Sequence, residues 1–443
     1  MPNGKDINYV LDACRTRGVR FVQIWFADIL GFLKSVAISV EKLPEAFDEG
    51  IGFDGSAIQG FTRADESDMV AVPDPSTFAL LPWRPTENAV ARMFCDIRTP
   101  DGAPFEGDPR YVLKRNLERA RKLGFTLFAG PEVEYFYLKD ALGGEPLDRG
   151  GYFDALAPDD AIEMRRAAIL ALEAMGIPVD SSHHEGAPSQ YEIVPRVSEA
   201  LAMADAVATL RLVVKETAQA RGCGATFMPK PYRDRNGSGM HLNLSLFRGE
   251  RNAFFDPADP VHLSDAAKRF IAGLLRHAPE MLAVTNQWVN SYKRLVPGFE
   301  APVFVSWARR NRADLVRVPQ YKPGKERSAR IELRSPDPAC NPYLALAVVL
   351  AAGLEGIEKG YDLPPALEEN IQDLSEQARR ERGLLPLPGS LIEAVALAEK
   401  SDLLRRALGD HLFANFIRNK KKEWEDFRTY VTSYEIERYL PIL

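Results

Sequence analysis

The stretch GPEVEYF (residues 130–136) combines a β-strand pattern with two carboxylates on one face. Side chains two residues apart on a strand point to the same side, so Glu132 and Glu134 project together while Val133 points the other way. The same alternation recurs in HLNLS (241–245) and RIELR (330–334), where polar and apolar residues occupy opposite faces. These runs predict a curved sheet, packed on helices through its apolar side, with its polar side around a cavity.

Side chains of the metal-binding type lie on these runs and two others: Glu132, Glu134, Glu185, Glu192, His241 and Glu332. Burying such carboxylates without a counter-charge is costly, so the pattern predicts a cation or a wet cleft. Five carboxylates and one imidazole favour Mg²⁺ or Mn²⁺ over Zn²⁺. Arginines beside Glu332 indicate chemistry on phosphate and carboxylate groups. The alternative, solvated faces of antiparallel strands, explains any single pair well but six residues with interleaved arginines poorly.

Composition narrows the class of protein. The chain of 443 residues is long enough for two or three domains, and its net charge of −6 gives no reason to expect nucleic acid or an anionic membrane as partner. Its 4 cysteines form no CxxC pair, which favours a reducing cytoplasm without structural zinc or disulfides. The first residues lack the apolar segment of a signal peptide, and the longest apolar run, 343–354, is too short to span a bilayer.

Two regions are predicted along the chain. Residues 1–105 are expected to form a small mixed α/β domain. Its elements are a helix over 6–17, a hairpin of strands 19–25 and 32–39, a helix over 40–49, a turn-rich stretch from 50 to 85 and a strand over 89–97. Residues 106–443 form the second domain, opening with an Asp108 N-cap, Pro109 at the first helical position and Gly124 beyond the last turn.

In this second domain a strand is expected over 125–138. Further helices are predicted from an N-cap at Ser198 to about Arg221, over 264–283, over 341–360, and through most of the tail from Ser390. Known nucleotide motifs are weak or missing: GIGFDG (50–55) matches GxGxxG but follows a helix-like segment, and no P-loop motif occurs.

The chain resembles bacterial type I glutamine synthetases over nearly its whole length. The matching segments are FDGSAIQGF (53–61), ESDM (66–69), GPEVEYF (130–136), HHEGAPSQYE (183–192), NGSGMHLNLSL (236–246), NSYKRLVPGFEAP (290–302) and RIELRSPDPACNPYLA (330–345). The resemblance implies an α+β protein. A β-grasp domain (1–105) would precede a catalytic domain (106–443) with a curved antiparallel sheet, a half-barrel, flanked by helices.

The resemblance also implies ATP-dependent ligation of ammonia to the γ-carboxylate of glutamate, through γ-glutamyl phosphate. One metal would sit with Glu134, Glu185 and Glu192, and the other with Glu132, His241 and Glu332. Glutamate would contact Asn236, Gly237, Arg294, Glu300, Arg312 and Arg334; Ser245, Arg317 and Arg330 would lie toward the nucleotide. Arg312 would also act near the transferred group, and Glu300 would close a flap that excludes water.

Ammonium would bind at Asp54, Ser56, Tyr152 and Glu185, with Asp54 taking a proton to make ammonia nucleophilic. In the family this aspartate reaches the neighbouring subunit's cleft. The resemblance therefore implies a dodecamer of two stacked hexameric rings, with active sites between subunits.

Regulation is predicted to follow the feedback-inhibited subgroup without adenylylation. The position of the modified tyrosine, forty residues beyond Glu332, is Gln372 here. Arg63 matches the arginine of the feedback-inhibited subgroup, although a solvated loop arginine is the alternative. Two other functions stay open: a γ-glutamyl ligase using a polyamine or alkylamine, and a non-enzymatic regulator on the same scaffold.

Overall fold

The computed structural model describes residues 6–56, 58, 68–140, 144–155, 159–311, 313–320, 322–369 and 371–443. Two β-sheets organise these residues, each packed against helices around a buried apolar core. Together they give a mixed α+β protein whose smaller sheet belongs to the N-terminal part and whose larger, curled half-barrel sheet belongs to the C-terminal part.

The N-terminal part contains a sheet of six strands within the described residues. Its elements are α1 (Ile7–Thr16), β1 (Val19–Ala27), β2 (Leu33–Ser39), α2 (Leu43–Asp48), β3 (Ile51–Asp54), β4 (Asp68–Pro73), β5 (Ala79–Leu80) and β6 (Ala89–Arg98). The strand order is β2-β1-β6-β4-β3, with β5 added to β6. Strand β1 runs antiparallel to β2, as the predicted hairpin requires, and parallel to β6.

One local prediction for this region was wrong. The turn-rich stretch 50–85 contains strands β3 and β4, which pair with each other in antiparallel register from Ile51↔Ala71 to Asp54↔Asp68. These strands depend on partners distant in the sequence, which a local pattern does not show. The predicted helix over 40–49 is confirmed: it begins as a 3-10 turn, Val40–Lys42, and continues as α-helix from Leu43.

The C-terminal part supplies the larger sheet and most helices. Its strands are β7 (Thr126–Leu138), β8 (Val179–His184), β9 (Gln190–Pro195), β10 (Ser198–Glu199), β11 (Gly224–Thr226), β12 (Met240–Arg248), β13 (Arg251–Asn252), β14 (Trp307–Ala308), β15 (Val316–Arg317) and β16 (Ile331–Leu333). Its helices are α3 (Pro109–Lys122), α4 (Asp159–Ala174), α5 (Ala200–Gln219), α6 (Asp265–Thr285), α7 (Ser291–Arg294), α8 (Pro342–Lys359), α9 (Glu376–Glu381), α10 (Leu391–Ala398), α11 (Asp402–Leu408), α12 (Asp410–Arg428) and α13 (Ser433–Tyr439).

The order of the larger sheet places the predicted polar runs side by side. Its main path is β14-β15-β16-β12-β7-β9-β8, and β10, β11 and β13 pair at its margins. All pairs are antiparallel except β14 with β15. The apolar residues of the alternating runs, such as Val133, Leu242 and Ile331, are buried in the core, where α3 and α5 pack against β7. The opposite face is left for the polar residues.

Helix boundaries follow their capping residues. Asp108 caps α3 by accepting from the Arg110 amide, Ser264 caps α6, and Asn341 caps α8, which ends at left-handed Gly360. The predicted cap at Ser198 was wrong: Ser198 pairs with Ala129 as strand β10, and α5 starts afterwards without a side-chain cap.

Buried polar contacts join the two parts. Gln287 Nε2 donates to the backbone oxygen of Leu30 (2.8 Å), and Asn341 Nδ2 donates to that of Asp28 (3.1 Å). Arg110, at the start of α3, binds Asp74 and Asp96 of the smaller sheet region at 2.8 and 2.7 Å. These contacts fix the orientation of the N-terminal part on the larger sheet.

Candidate active site

A cavity of about 400 Å³ lies on the polar face of the larger sheet. Carboxylates, imidazoles and guanidinium groups from strands β7, β8, β9, β12, β15 and β16 meet there with residues of four loops, which carry Tyr152, Glu185, Asn236 and Glu300. The expected site residues that line it are Glu132, Glu134, Tyr152, Glu185, Glu192, Asn236, Gly237, His241, Arg294, Glu300, Arg317, Glu332 and Arg334. The expected residues outside its lining are Asp54, Ser56, Ser245 and Arg330, whereas Arg63 and Arg312 lie outside the described residues.

One end of the cavity holds Glu132, His241 and Glu332, from three adjacent strands. His241 stands opposite Glu132 in the β7–β12 register, and its Nδ1 lies 3.1 Å from Glu132 Oε2 and 3.8 Å from Glu332 Oε1. Asn243 Nδ2 donates to the other oxygen of Glu132 (3.1 Å). Ligand atoms of the three residues all lie within 4.8 Å of one another, so they form a group that can hold a metal ion.

The other end holds a second group, formed by His183, Glu185 and Glu192. The His183 ring bridges the two carboxylates, with Nδ1 3.2 Å from Glu185 Oε1 and Nε2 3.2 Å from Glu192 Oε1. Glu134 stands opposite Glu192 in the β7–β9 register. Its carboxylate accepts from the Gly239 amide (2.9 Å) and from Gln190 Nε2 (3.0 Å).

Electrostatics differ between the two ends. Burial, followed by repulsion from Glu185 and Glu192, raises the pKa of Glu134 well above its ordinary value. Burial and the Glu192 charge raise the pKa of Glu185 to about 7. At the other end burial would raise the pKa of Glu132, but the His241 hydrogen bond and other partners lower it to about 2. Crowded carboxylates of this kind call for a cation.

His241 has the properties of a metal ligand. Burial and the neighbouring Arg334 charge lower the pKa of its imidazole, which favours the neutral form. A neutral imidazole beside carboxylates offers the nitrogen donor that a divalent ion requires. The donor chemistry at both ends of the cavity therefore fits divalent cations.

Arginines surround Glu332. Arg317 Nη1 donates to Glu332 Oε2 (2.7 Å), and Arg334 forms an ion pair with Oε1. Arg294 is buried, and it donates to the backbone oxygens of Ser335 (2.7 Å) and Arg334 (3.1 Å). These contacts hold the guanidinium groups along one wall, where they can bind anionic parts of a substrate.

Two further loops, around Gly237 and Glu300, contribute to the cavity lining. Gly237 is required sterically, because a Cβ there would lie 2.2 Å from the Pro229 backbone oxygen and 3.0 Å from Arg294 Cγ. Glu300 follows Gly298 in a flap and adopts a left-handed φ of 54°. Asn236 Nδ2 donates to Glu300 Oε2 (3.4 Å), so the two loops are in contact at the cavity.

Four expected residues lie apart from this lining. Asp54 and Ser56 are exposed at the end of β3, where the Ser56 amide donates to Asp54 Oδ1 (2.8 Å). Arg330 Nε donates to Asn243 Oδ1 (2.8 Å), next to the Glu132 end. Ser245 is buried further along β12, opposite Phe128.

Family models cover both parts of the chain. Residues 18–100 match the glutamine synthetase β-grasp domain, and residues 106–439 match the glutamine synthetase catalytic domain. The chain belongs to the glutamine synthetase family. Glutamine synthetases use ATP and divalent metal ions, in agreement with the donor chemistry at the two ends of the cavity.

Glutamine synthetases of other organisms match the chain over nearly its whole length, and a solved structure shares its fold. The chain is 56% identical to the glutamine synthetase of Mycolicibacterium smegmatis over 440 residues, covering 98% of this chain and 99% of the relative. It is 50% identical to that of Thermotoga maritima over 426 residues, covering 95% and 96%. A structure of a GmaS/ADP complex superposes with a TM-score of 0.89 at 31% identity, covering 99% and 100%. The protein is an enzyme that forms glutamine from glutamate and ammonia at the expense of ATP.

Sequence reasoning missed several residues of this glutamine synthetase cavity. His183 and Gln190 line it, and Asn243 orients Glu132. The strand period offered a signal, since His183 lies two residues before Glu185 and Gln190 two before Glu192. Phe299 of the flap also lines the cavity, and no sequence pattern indicated it. The Lys230 ammonium group lies 3.4 Å from the centre of its ring.

None of the helices in the described ranges combines the length and apolar composition that crossing a bilayer requires.

Proposed function

We propose that two divalent cations, Mg²⁺ or Mn²⁺, bind in this cavity. Glu132, His241 and Glu332 would hold one, and Glu134, Glu185 and Glu192 the other. The observation that carries the proposal is the pair of separate ligand groups, Glu132 with His241 and Glu332, and His183 with Glu185 and Glu192, each with donor atoms within 4.8 Å of one another. Glu134 is added to the second group because it stands opposite Glu192 in the β7–β9 register.

Bound cations would offset repulsion between the ATP phosphates and the γ-carboxylate of glutamate, so that γ-glutamyl phosphate can form. Side chains and backbone groups of the protein would bind the substrates and exclude water. Asn236, Gly237, Arg294 and Arg334 would bind glutamate, and Arg312 would act near the transferred group. Arg317, Arg330 and Ser245 would contact the nucleotide, and the Glu300 flap would exclude water from the acyl phosphate.

We propose that ammonia is delivered at the second end, where Tyr152 and Glu185 would meet Asp54 and Ser56 of a neighbouring copy. Exposure of Asp54 outside the cavity of its own chain supports this arrangement. Hydrogen bonds from the Ser56 side chain and amide lower the pKa of Asp54, which keeps the carboxylate charged for ammonium.

Assembly as a dodecamer of two hexameric rings belongs to the same proposal. Large apolar side chains of the C-terminal tail are exposed, including Tyr430, Val431, Leu440, Ile442 and Leu443. Several exposed large apolar side chains within one short segment are typical of a surface that another copy covers.

Regulation is proposed from the sequence. Gln372 lacks the hydroxyl that adenylylation needs, and Arg63 would support direct inhibition by glutamine.

The described cysteines are all free and buried, which fits a reducing cytoplasm.

The test is a titration of chelator-treated protein with Mn²⁺ by calorimetry, followed by an assay of ammonium-dependent phosphate release with ATP and glutamate. We expect two ions per chain, with Glu192→Gln and Glu332→Gln each removing a different one and lowering kcat by about 100-fold. Glu250→Gln is the control, because Glu250 is 91% exposed and pairs only with Arg327 among the described residues. A stoichiometry unchanged in both variants would refute the two-cation site.

A further inference from the structure

A buried carboxylate outside the cavity connects the two segments that would form the ammonium side. Asp148 is only 3% exposed and accepts hydrogen bonds from four donors. Its Oδ1 accepts from the amides of Gly150 (2.9 Å) and Ser189 (2.8 Å) and from His184 Nε2 (3.0 Å). Its Oδ2 accepts from the Tyr191 hydroxyl (2.5 Å).

On one side Asp148 begins the loop that carries Tyr152. Gly150 packs so closely on the His184 ring that a Cβ there would lie 2.7 Å from Nε2. The Phe153 amide donates to the His184 backbone oxygen (3.1 Å), with Phe153 in the left-handed region at φ 60°. These contacts set Tyr152 edge-on against the His183 ring, with 5.6 Å between ring centres.

On the other side Asp148 holds the turn that carries Glu185. His184 Nδ1 donates to the Glu185 backbone oxygen (2.7 Å), while Nε2 of the same ring donates to Asp148. Both ring nitrogens act as donors because a backbone oxygen and a carboxylate oxygen only accept. At the far end of the turn Ser189 adopts a left-handed φ of 62° and accepts from the Asp148 amide through Oγ (2.5 Å). The Glu185 amide donates to the Gln190 backbone oxygen (2.7 Å), which closes the turn.

We infer that Asp148 is a positioning residue for the ammonium step: its carboxylate holds the Tyr152 loop and the Glu185 turn at a fixed separation. The inference rests on the proposed function, in which Tyr152 and Glu185 contribute to the ammonium site. The three partners of Oδ1 are donors, and an ionised carboxylate accepts from all of them and from the Tyr191 hydroxyl on Oδ2. Asparagine has the same shape but carries an N–H₂ in place of Oδ2, so it would reverse the Tyr191 bond and remove the negative charge beside His184.

The first experiment compares Asp148→Asn with Asp259→Asn in the full-length enzyme. Asp259 is a matched control: its Oδ1 accepts from the amides of Val261 (3.0 Å) and Leu263 (3.1 Å), in a loop outside the cavity lining. We expect Asp148→Asn to raise the KM for ammonium about tenfold or more while the KM for ATP stays within about twofold. Asp259→Asn should leave both constants within about twofold.

If Asp148→Asn does not fold, a milder variant, Tyr191→Phe, tests the same role. Tyr191→Phe removes one of the four donors and keeps the others, so the KM for ammonium should rise about threefold with the KM for ATP unchanged. The inference is overturned if the foldable variant leaves the KM for ammonium unchanged. It is also overturned if the KM values for ammonium and ATP rise by the same factor, because that result indicates general loss of structure.

Tyr152→Ala separates this inference from the proposed ammonium site. If Tyr152→Ala leaves the KM for ammonium unchanged, the proposed site itself is wrong. If Tyr152→Ala raises this KM but the Asp148 and Tyr191 variants do not, only the positioning role of Asp148 is refuted.

Discussion

Asp314 is a fully buried ionisable residue that does not line the cavity. Burial raises the pKa of its carboxyl to about 7. Because the pKa in the unfolded chain is near 3.8, folding takes up a proton between these two values. The stability contributed by this group is therefore complete below about pH 4 and is lost as the pH rises through the folded-state pKa near 7.

We predict that Asp314→Asn flattens this pH dependence. At pH 8 the free energy of unfolding should rise by about 1–3 kcal/mol, less than the roughly 4 kcal/mol equivalent to the full pKa shift, because the amide must satisfy its own hydrogen bonds. Urea unfolding at pH 5 and pH 8 measures the effect. Exposed Asp362→Asn serves as the control, and a variant that is less stable than the parent at pH 8 would contradict the prediction.

For individual residues, the sequence predicted the position of a side chain where its direction follows from the two-residue period of a strand. Glu132, Glu134 and Glu332 were predicted to face one cavity, and they line it. Asp314 gave no signal, because its burial depends on segments joined only in three dimensions. The roles of the cavity residues stay predictions until metal and substrate are measured.

Among the elements, the flap around Glu300 has an unusual backbone. Glu300 has φ 54° and Gly298 has φ 90°, both in the left-handed region. A non-glycine residue there costs on the order of 1 kcal/mol, and such strain is found where function requires a defined geometry. The flap thus holds the Glu300 carboxylate next to Asn236 at the expense of stability.

We predict that Glu300→Gly and Glu300→Ala separate stability from activity. Both remove the carboxylate and should lower kcat by about 100-fold, but the glycine variant should be about 1 kcal/mol more stable than the alanine variant. Thermal unfolding and steady-state kinetics give the two readouts. Asn88→Gly, at φ 55° outside the cavity lining, should gain stability without losing activity; equal stability of the two Glu300 variants would refute the strain.

Elements with strong local signals were predicted well. Helices α3, α6 and α8 begin at the caps Asp108, Ser264 and Asn341 because a capping side chain bonds within its own first turn. Strands β3 and β4 were missed, and Ser198 was assigned to the wrong element. Pairing with distant strands decides both cases, and no local pattern encodes that partner choice.

In the whole molecule, the curved sheet with one polar face was predicted, and its strand order brings the polar runs together. The parallel pairing of β1 with β6 was not predicted, since it joins segments some seventy residues apart. The N-terminal part packs on the C-terminal part yet leaves Asp54 exposed outside its own cavity. A cavity on one chain and a catalytic aspartate on another would make activity a property of the assembly.

We predict that two inactive variants restore activity when they are co-expressed. Asp54→Ala lacks the delivered carboxylate, and Glu332→Gln lacks one cation ligand, so each alone should be nearly inactive. In a ring where every site combines Asp54 of one chain with the cavity of the next, random mixing leaves about a quarter of the sites intact. The kcat of the mixed oligomer, purified through two different tags, should therefore reach about a quarter of the parent value.

The matched control for this complementation is a mixture of Glu132→Gln with Glu332→Gln. Both substitutions lie in the same cavity, so every chain of the mixture has a defective cavity and no mixed assembly contains an intact site. This mixture should stay inactive. If the Asp54→Ala and Glu332→Gln mixture is also inactive although both chains are present in one oligomer, the shared site is refuted. Each chain would then have to bring its own Asp54 to its own cavity, which requires a movement of β3 away from the arrangement described above.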